Sequence, residues 1–183
     1  MLWGELVGKE LQLVREVAPN ARIVAALIDR NDPNGENVTS DLQAAARALG
    51  VPLEVLYAGN DPELEEVFTK LSQSRPGGLV ISPNIFLPPR YKQLADFTMH
   101  NGIAAIGPPP FARDGGLMSY GGTDNFMRVI GVYAGRILKG DKPADLSVQR
   151  ATKFTLTINM RAAKALGITF PTDLLVRADE VIE

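Results

Sequence analysis

The stretch PPPFARDGGLMSYGGTD, residues 108–124, separates two parts of the chain that share one kind of pattern. Before it, four short apolar runs alternate with helix-like segments. After it come a strand-like run at residues 117–120, an amphipathic segment and a further strand. The prolines and glycines of the stretch disfavour a long regular element and are typical of a connection. The stretch therefore predicts a crossover between two α/β halves, or a plain linker.

Four apolar runs predict the strands of a parallel sheet. They begin at residues 22, 53, 79 and 103, with a helix-like segment between each pair. The first run, RIVAALID at residues 22–29, is continuously apolar until its end, which suits a strand buried on both faces. Strands that alternate with helices favour βαβ units. The predicted fold class is α/β, a Rossmann-like three-layer parallel sheet.

The helix-like segments carry their own start and stop signals. A first helix is expected over residues 2–17, and Asn37 is expected to cap the next helix, with Gly50 just after its end. Asp61 followed by proline marks a further helix start. The helix after the crossover, capped by Thr123 or Asp124, is expected to bury an apolar stripe of Phe126, Val129, Ile130, Tyr133 and Ile137.

Composition excludes several classes of function. The chain has 183 residues with 19 basic and 21 acidic side chains, and the basic residues are scattered, so a nucleic-acid partner is not expected. Without cysteine there is no disulfide, thiolate nucleophile or cysteine zinc site. No apolar run approaches the roughly 18 residues of a membrane span. The N-terminus lacks an export signal, which by itself predicts a cytoplasmic chain.

The usual signatures of an enzyme are absent from the sequence. There is no GxGxxG after the first strand, no phosphate loop and no GxSxG elbow. The single histidine, His100, lies at a predicted helix end, where a surface or capping role is the simpler interpretation. Asp29 and Asp32 make at most a weak cation site. We therefore expect no catalytic residue, no metal and no cofactor.

Polar and aromatic side chains follow the predicted strands where each strand ends. In an open α/β sheet the ligand crevice lies beyond these carboxyl ends. Amides, hydroxyls and rings suit the holding of a small molecule by hydrogen bonds and stacking. The helix start near Thr39 adds free backbone N–H groups that suit a carboxylate. The predicted ligand-binding residues are Asn31, Thr39, Ser82, Asn84, Phe86, Phe111 and Tyr120. Each could instead be a turn or core residue.

Several stretches resemble one known family over nearly the whole chain. The segment VAPNARIVAAL resembles the lead into that family's second lobe, and the last seventy residues are the most specific. The C-terminal motifs are GGLMSYG (115–121), GRILKGDKPADLSVQ (135–149), KFTLTINMRAAKALGI (153–168) and LLVRADEVIE (174–183). The family that these stretches resemble is that of ABC transporter substrate-binding proteins, in the class of tryptophan- and tyrosine-type uptake receptors.

The resemblance implies a periplasmic-binding-protein-like fold of type I, with two lobes that close on a solute. It implies a small-molecule solute, a membrane permease of an ABC importer as partner, and a periplasmic or lipid-anchored location. The family's cleft positions correspond here to Asn31, Ser82-Pro83-Asn84, Phe111 and Tyr120. The implied function is a solute-binding component that recognises an amino acid, an aromatic or a carboxylate compound.

The resemblance also implies that the chain lacks most of the first lobe. The expected division is a leading helix or hinge over residues 1–21, a complete α/β lobe over 22–107, and a crossover with the trailing part of the other lobe over 108–183. Strand edges and apolar faces left without partners favour self-association, so a homodimer is expected. The alternatives are a ligand-sensing domain of a regulator and a Rossmann-type enzyme that uses a nucleotide.

Overall fold

The computed structural model describes residues 2–83, 86–122, 126–146 and 154–183, without the side chains of 2–5 and 126–129. The helices are α1 Leu2–Val17, α2 Gly35–Leu49, α3 Asp61–Ser74, α4 Tyr91–His100, α5 Pro110–Arg113, α6 Phe126–Leu138, α7 Met160–Leu166 and α8 Thr172–Arg177. The strands are β1 Val24–Asp29, β2 Leu53–Ala58, β3 Gly78–Ile81, β4 Ala104–Gly107, β5 Met118–Gly122, β6 Phe154–Asn159 and β7 Glu180–Ile182. No described helix is both long enough and apolar enough to cross a membrane.

The seven strands form one sheet in the order β2-β1-β3-β4-β5-β6-β7. Strands β1 to β5 are parallel, which confirms the predicted parallel sheet. Strand β6 runs antiparallel to β5, with Tyr120 opposite Leu156, and β7 is parallel to β6. The sheet thus continues past residue 107, where the sequence predicts a lobe boundary, and that division stays a prediction.

Helices cover both faces of the sheet because the central strands β1, β3 and β4 are apolar and buried on both sides. In β1, Ala26 and Ile28 face α1 and α2, while Ala25 and Leu27 face the opposite layer of α3, α4 and α5. All six residues of β1 are buried. This two-sided burial is the expected behaviour of a central strand in a parallel sheet and confirms the three-layer prediction.

Two predicted helix caps are wrong by a few residues. Helix α2 begins at Gly35, so Asn37 lies inside the helix and does not cap it. The cause is the preceding turn, since the Asp32 carboxylate accepts the backbone N–H of Asn34 at 2.8 Å and brings the chain into helical geometry early. Helix α3 is capped by Asn60, whose side chain accepts the N–H of Glu63 at 2.9 Å, so Asp61 is the first helical residue.

The predicted burial of the α6 stripe is wrong for Ile130 and Ile137, while Tyr133 is half-buried. Ile130 is 45% exposed and Ile137 is 42% exposed. Thr123 and Asp124, the predicted caps of this helix, and the side chains of Phe126 and Val129 lie outside the described residues. The apolar periodicity shows only that the helix has a face to bury, and no described element covers Ile130 and Ile137.

Candidate functional site

The carboxyl ends of β1 to β5 meet at one edge of the sheet, which we call the rim. The chain passes from β1 to β2 on one side and from β3 to β4 on the other, so the strand order reverses between β1 and β3. In open α/β sheets, ligands bind in the crevice at such a reversal. The loop after β1 carries Asn31, and the segment after β3 carries Ser82 and Phe86.

Asn31 lies in the exposed loop after β1 and is held at two points. Its backbone N–H donates to the Asp29 carboxylate at 2.9 Å, and its Nδ2 donates to the carbonyl of Gly59 at 3.3 Å. No described residue donates to the Asn31 side-chain oxygen. The amide therefore presents a fixed acceptor at the rim.

Thr39 lies in the first part of α2, and its hydroxyl is used within the protein. It donates to the carbonyl of Gly35 at 2.8 Å. The hydroxyl of Tyr57 lies 2.9 Å from the same oxygen. Because a threonine hydroxyl has one proton, Tyr57 is the donor of this second bond. Thr39 consequently has no proton left for a ligand carboxylate, and the Tyr57 oxygen can act toward a ligand only as an acceptor.

Ser82 and Phe86 follow β3 at the reversal point. Ser82 is buried, with its backbone N–H donating to the carbonyl of Leu27 at 2.9 Å. Phe86 is half-buried, and the guanidinium of Arg90 lies 3.9 Å from its ring centroid. Asn84, the remaining predicted residue of this segment, lies outside the described residues.

Phe111 and Tyr120 are placed away from each other. Phe111 has no exposed surface, and its ring packs edge-on against Tyr91 with centroids 5.9 Å apart, in the layer of α3 and α4. Tyr120 is half-buried on the opposite face of the sheet and stacks on Phe154 at 5.9 Å. Burial raises the pKa of the Tyr120 hydroxyl, and the carboxyl of Glu10 adds to the shift. Sequence position alone could not separate these two rings.

The first turn of α3, residues 60–63, supplies two carboxylates to the rim. Asp61 accepts a hydrogen bond from Arg90, which lowers its pKa below the ordinary 3.8. Glu63 accepts the N–H of Gly59 at 2.8 Å and Nε of Arg30 at 3.0 Å, which together lower its pKa below 4.5. In sequence, acids in a first helical turn indicate only a favourable interaction with the helix dipole. Their partners, Arg90 and Arg30, are distant in sequence, so the sequence pattern does not predict this part of the rim.

The rim brings together some of the predicted residues but not all of them. Asn31, Ser82 and Phe86 lie at the reversal between β1 and β3, Thr39 lies behind them in α2, and Phe111 is in the core. In the part of the chain that is described, no group of three or more histidine or acidic side chains is placed to hold a metal ion. The arrangement offers the side-chain oxygen of Asn31 as a hydrogen-bond acceptor and the aromatic ring of Phe86.

Comparison with known proteins identifies the family. The sequence pattern described as "ABC transporter substrate binding protein" matches residues 4–182, so the chain belongs to that family. Members of the family bind small-molecule solutes without catalysing a reaction, work with ABC transporter permeases and are normally extracytoplasmic. No curated protein matches the chain.

Solved structures share the fold at low sequence identity. An ABC domain from Streptococcus pneumoniae, in complex with L-Trp, is 22% identical with a TM-score of 0.85, covering 97% of this chain and 60% of its own. A conserved domain protein from Vibrio cholerae is 21% identical with a TM-score of 0.84, covering 96% and 60%. A ligand-free, open substrate-binding protein with adhesive properties from Clostridium difficile is 19% identical with a TM-score of 0.69, covering 95% and 59%. The chain thus spans about three fifths of the length of these proteins.

Proposed function

We propose that the rim binds a small solute, an amino acid or another small aromatic or carboxylate compound, as the solute-binding part of an ABC importer. One observation carries the proposal: the strand order reverses between β1 and β3, and the loops that follow these two strands carry Asn31 and Phe86. The amide supplies a hydrogen-bond acceptor, and the ring supplies a stacking surface. The L-Trp complex of the Streptococcus pneumoniae domain supports this class of ligand.

The permease of an importer is the partner that this function requires, and a periplasmic or lipid-anchored location would give the protein access to it. The family supports both, since its members work with ABC permeases and are normally extracytoplasmic. The relatives' chains are longer, and a second lobe would bury the solute from the other side. High affinity is therefore expected where a second lobe encloses the solute, and weaker binding where the rim alone contacts it.

A thermal-shift panel tests the binding function. We expect L-tryptophan, L-tyrosine, L-phenylalanine or benzoate to stabilise the protein, while ATP and NAD do not. At a concentration about one hundred times the dissociation constant, a ligand adds about 2.7 kcal/mol, which raises Tm by roughly 5–10 °C. The variant Asn31→Ala should reduce this shift. Asn101→Ala, an exposed asparagine that follows the last residue of α4, is the matched control. Stabilisation by nucleotides alone would contradict the proposal.

We also propose that the protein forms a homodimer through α6. Among the described residues of this helix, Ile130 is 45% exposed and Ile137 is 42% exposed. They lie seven residues apart and so on one face of the helix, and exposed apolar residues on one face mark a candidate interaction site. A second copy would cover it.

Light scattering at micromolar protein tests the dimer. We expect the wild-type mass to be twice 19.8 kDa, and the variant Ile130→Glu to run as a monomer. Val176→Glu, which charges an exposed valine of α8, should leave the dimer intact. A wild-type monomer, or a dimer that survives in Ile130→Glu, would rule out this interface.

A further inference from the structure

The first turn of α3 stands between the two loops of the candidate site. Helix α3 connects β2 to β3, and β1 lies between these strands in the sheet. The start of the helix therefore reaches the loop after β1 on one side and the loop after β3 on the other. Each loop sends one arginine to this turn: Arg30 to Glu63 at 3.0 Å, and Arg90 to Asp61 at 2.5 Å.

Arg90 connects the turn to both the backbone and the ring of Phe86. Its Nη1 donates to the Phe86 carbonyl at 2.8 Å, and its guanidinium lies 3.9 Å from the ring centroid. Its Nε meanwhile donates to Asp61. A planar guanidinium can stack and donate in two directions at once, which a lysine ammonium cannot do. The position of Phe86 is thereby tied to the position of α3.

Glu63 connects the same turn to Asn31 through the peptide of Gly59. The carboxylate accepts the Gly59 N–H at 2.8 Å, and the Gly59 carbonyl accepts Nδ2 of Asn31 at 3.3 Å. The approach is close, since a Cβ on Gly59 would lie 2.3 Å from that nitrogen. Arg30 adds a contact with the ring of Tyr57 at 5.9 Å. Asn31 is thereby also fixed relative to α3.

We infer that the first turn of α3 is a brace that fixes the positions of Phe86 and Asn31, with Asp61 and Glu63 as their positioning residues. The consequence for binding rests on the proposed function. Exposed ion pairs add little to global stability, and the side chains of Asp61 and Arg30 are 71% and 56% exposed. Their effect is instead to order the groups that meet the ligand before it binds, which reduces the entropy lost on binding.

Hydrogen exchange of the ligand-free full chain, followed by mass spectrometry, tests the brace. In Arg90→Gln and Asp61→Asn, peptides that cover residues 86–91 should exchange about 3- to 10-fold faster, with Tm nearly unchanged. In Glu63→Gln and Gly59→Ala, the faster exchange should appear at residues 30–34 instead. Lys92→Gln, which breaks the exposed Lys92–Asp96 pair of α4, is the matched control and should exchange like wild type.

A double variant separates a shared contact from two independent effects. Because Asp61 and Arg90 act as one unit, Asp61→Asn with Arg90→Gln should exchange no faster than Arg90→Gln alone. Additive effects, or exchange in Arg90→Gln equal to that in Lys92→Gln, would overturn the inference.

Calorimetric titration with L-tryptophan tests the consequence for binding. We expect Arg90→Gln to weaken affinity by about 3- to 10-fold, Arg90→Lys to restore it only in part, and Lys92→Gln to leave it unchanged. Wild-type affinity in Arg90→Gln would reject the positioning role. If no compound of the panel binds the wild-type protein, the proposed function fails. The exchange experiment alone then decides whether the first turn of α3 holds Phe86 and Asn31 in place.

Discussion

The variant Phe111→Ala is expected to lower the free energy of unfolding by about 3–5 kcal/mol, which is the usual loss for a buried phenylalanine. Phe111 has no exposed surface, and its ring packs edge-on against Tyr91. Gly107 and Gly116 leave room for it, since a Cβ on Gly116 would lie 2.2 Å from the ring. The surrounding strands β4 and β5 restrict collapse of the cavity. Urea unfolding followed by circular dichroism measures the change.

Two further variants distinguish a core role for Phe111 from a ligand-binding role. Phe111→Leu keeps most of the volume and should cost far less than Phe111→Ala. Gly116→Ala pushes a methyl group into the ring and should cost about 1–3 kcal/mol by overpacking. If Phe111 only contacted ligand, these variants would change the free energy of unfolding little and would lower the affinity for ligand instead. A loss below about 1 kcal/mol in Phe111→Ala, together with lost affinity, would contradict the core assignment.

The variant Glu10→Met is expected to stabilise the protein at neutral pH by about 1–3 kcal/mol. Glu10 in α1 is fully buried, and neither carboxyl oxygen has a hydrogen-bond partner among the described residues. Tyr91 and Tyr120 are the titratable groups whose pKa values it affects. Methionine has a similar shape and removes the unpartnered polar atoms. The free energy of unfolding from urea titrations at several pH values measures the gain.

The gain should increase with pH, because burial raises the pKa of Glu10 well above its ordinary value of 4.5. Below pH 4.5 the carboxyl is protonated in both the folded and the unfolded state. As pH rises from there, the unfolded chain ionises first and is stabilised, so folding stability falls until the raised folded pKa is passed. Wild type should therefore lose stability relative to Glu10→Met between acid and neutral pH.

Two controls accompany the Glu10 measurement. Glu10→Gln removes the ionisable group but keeps a buried polar one, so it should abolish the extra pH dependence while recovering less stability than Glu10→Met. Glu66→Gln, at an exposed position of α3, should change little at any pH. A Glu10→Met protein that is less stable than wild type at pH 7 would show that the carboxylate has a favourable partner.

The sequence predicts the centre of the sheet well because β1, β3 and β4 are apolar on both faces and several helices have local start and stop signals. Helix α1 was predicted with its observed bounds, and Gly50 has the left-handed conformation expected after a helix. Asn159 caps α7 by accepting the N–H of Ala162. These features depend on neighbours a few residues apart. The predicted burial of Ile130 and Ile137 in α6 is wrong because burial depends on a packing partner that the periodicity of the sequence does not identify.

The site was predicted less completely because its contacts join residues that are distant in sequence. The strand-end rule places Asn31 and Ser82 at the rim, but it says nothing of the Arg90–Asp61 and Arg30–Glu63 pairs. It also cannot decide that Phe111 turns into the core. Glu10 gives a partial signal, since it lies three residues from both Val7 and Leu13 and so shares their buried side of the helix. A charged residue is nevertheless expected on the exposed face.

Chemical-shift mapping of the isotope-labelled chain with L-tryptophan, by two-dimensional NMR, tests the central claim most directly. The account predicts that the largest shifts fall on backbone amides of the loops after β1 and β3, at Asn31, Ser82 and Phe86, and that Asn31→Ala reduces them. Amides at the opposite edge of the sheet, such as that of Gly50, should not move. Shifts concentrated at that opposite edge, or binding that is unaffected by Asn31→Ala, would contradict it.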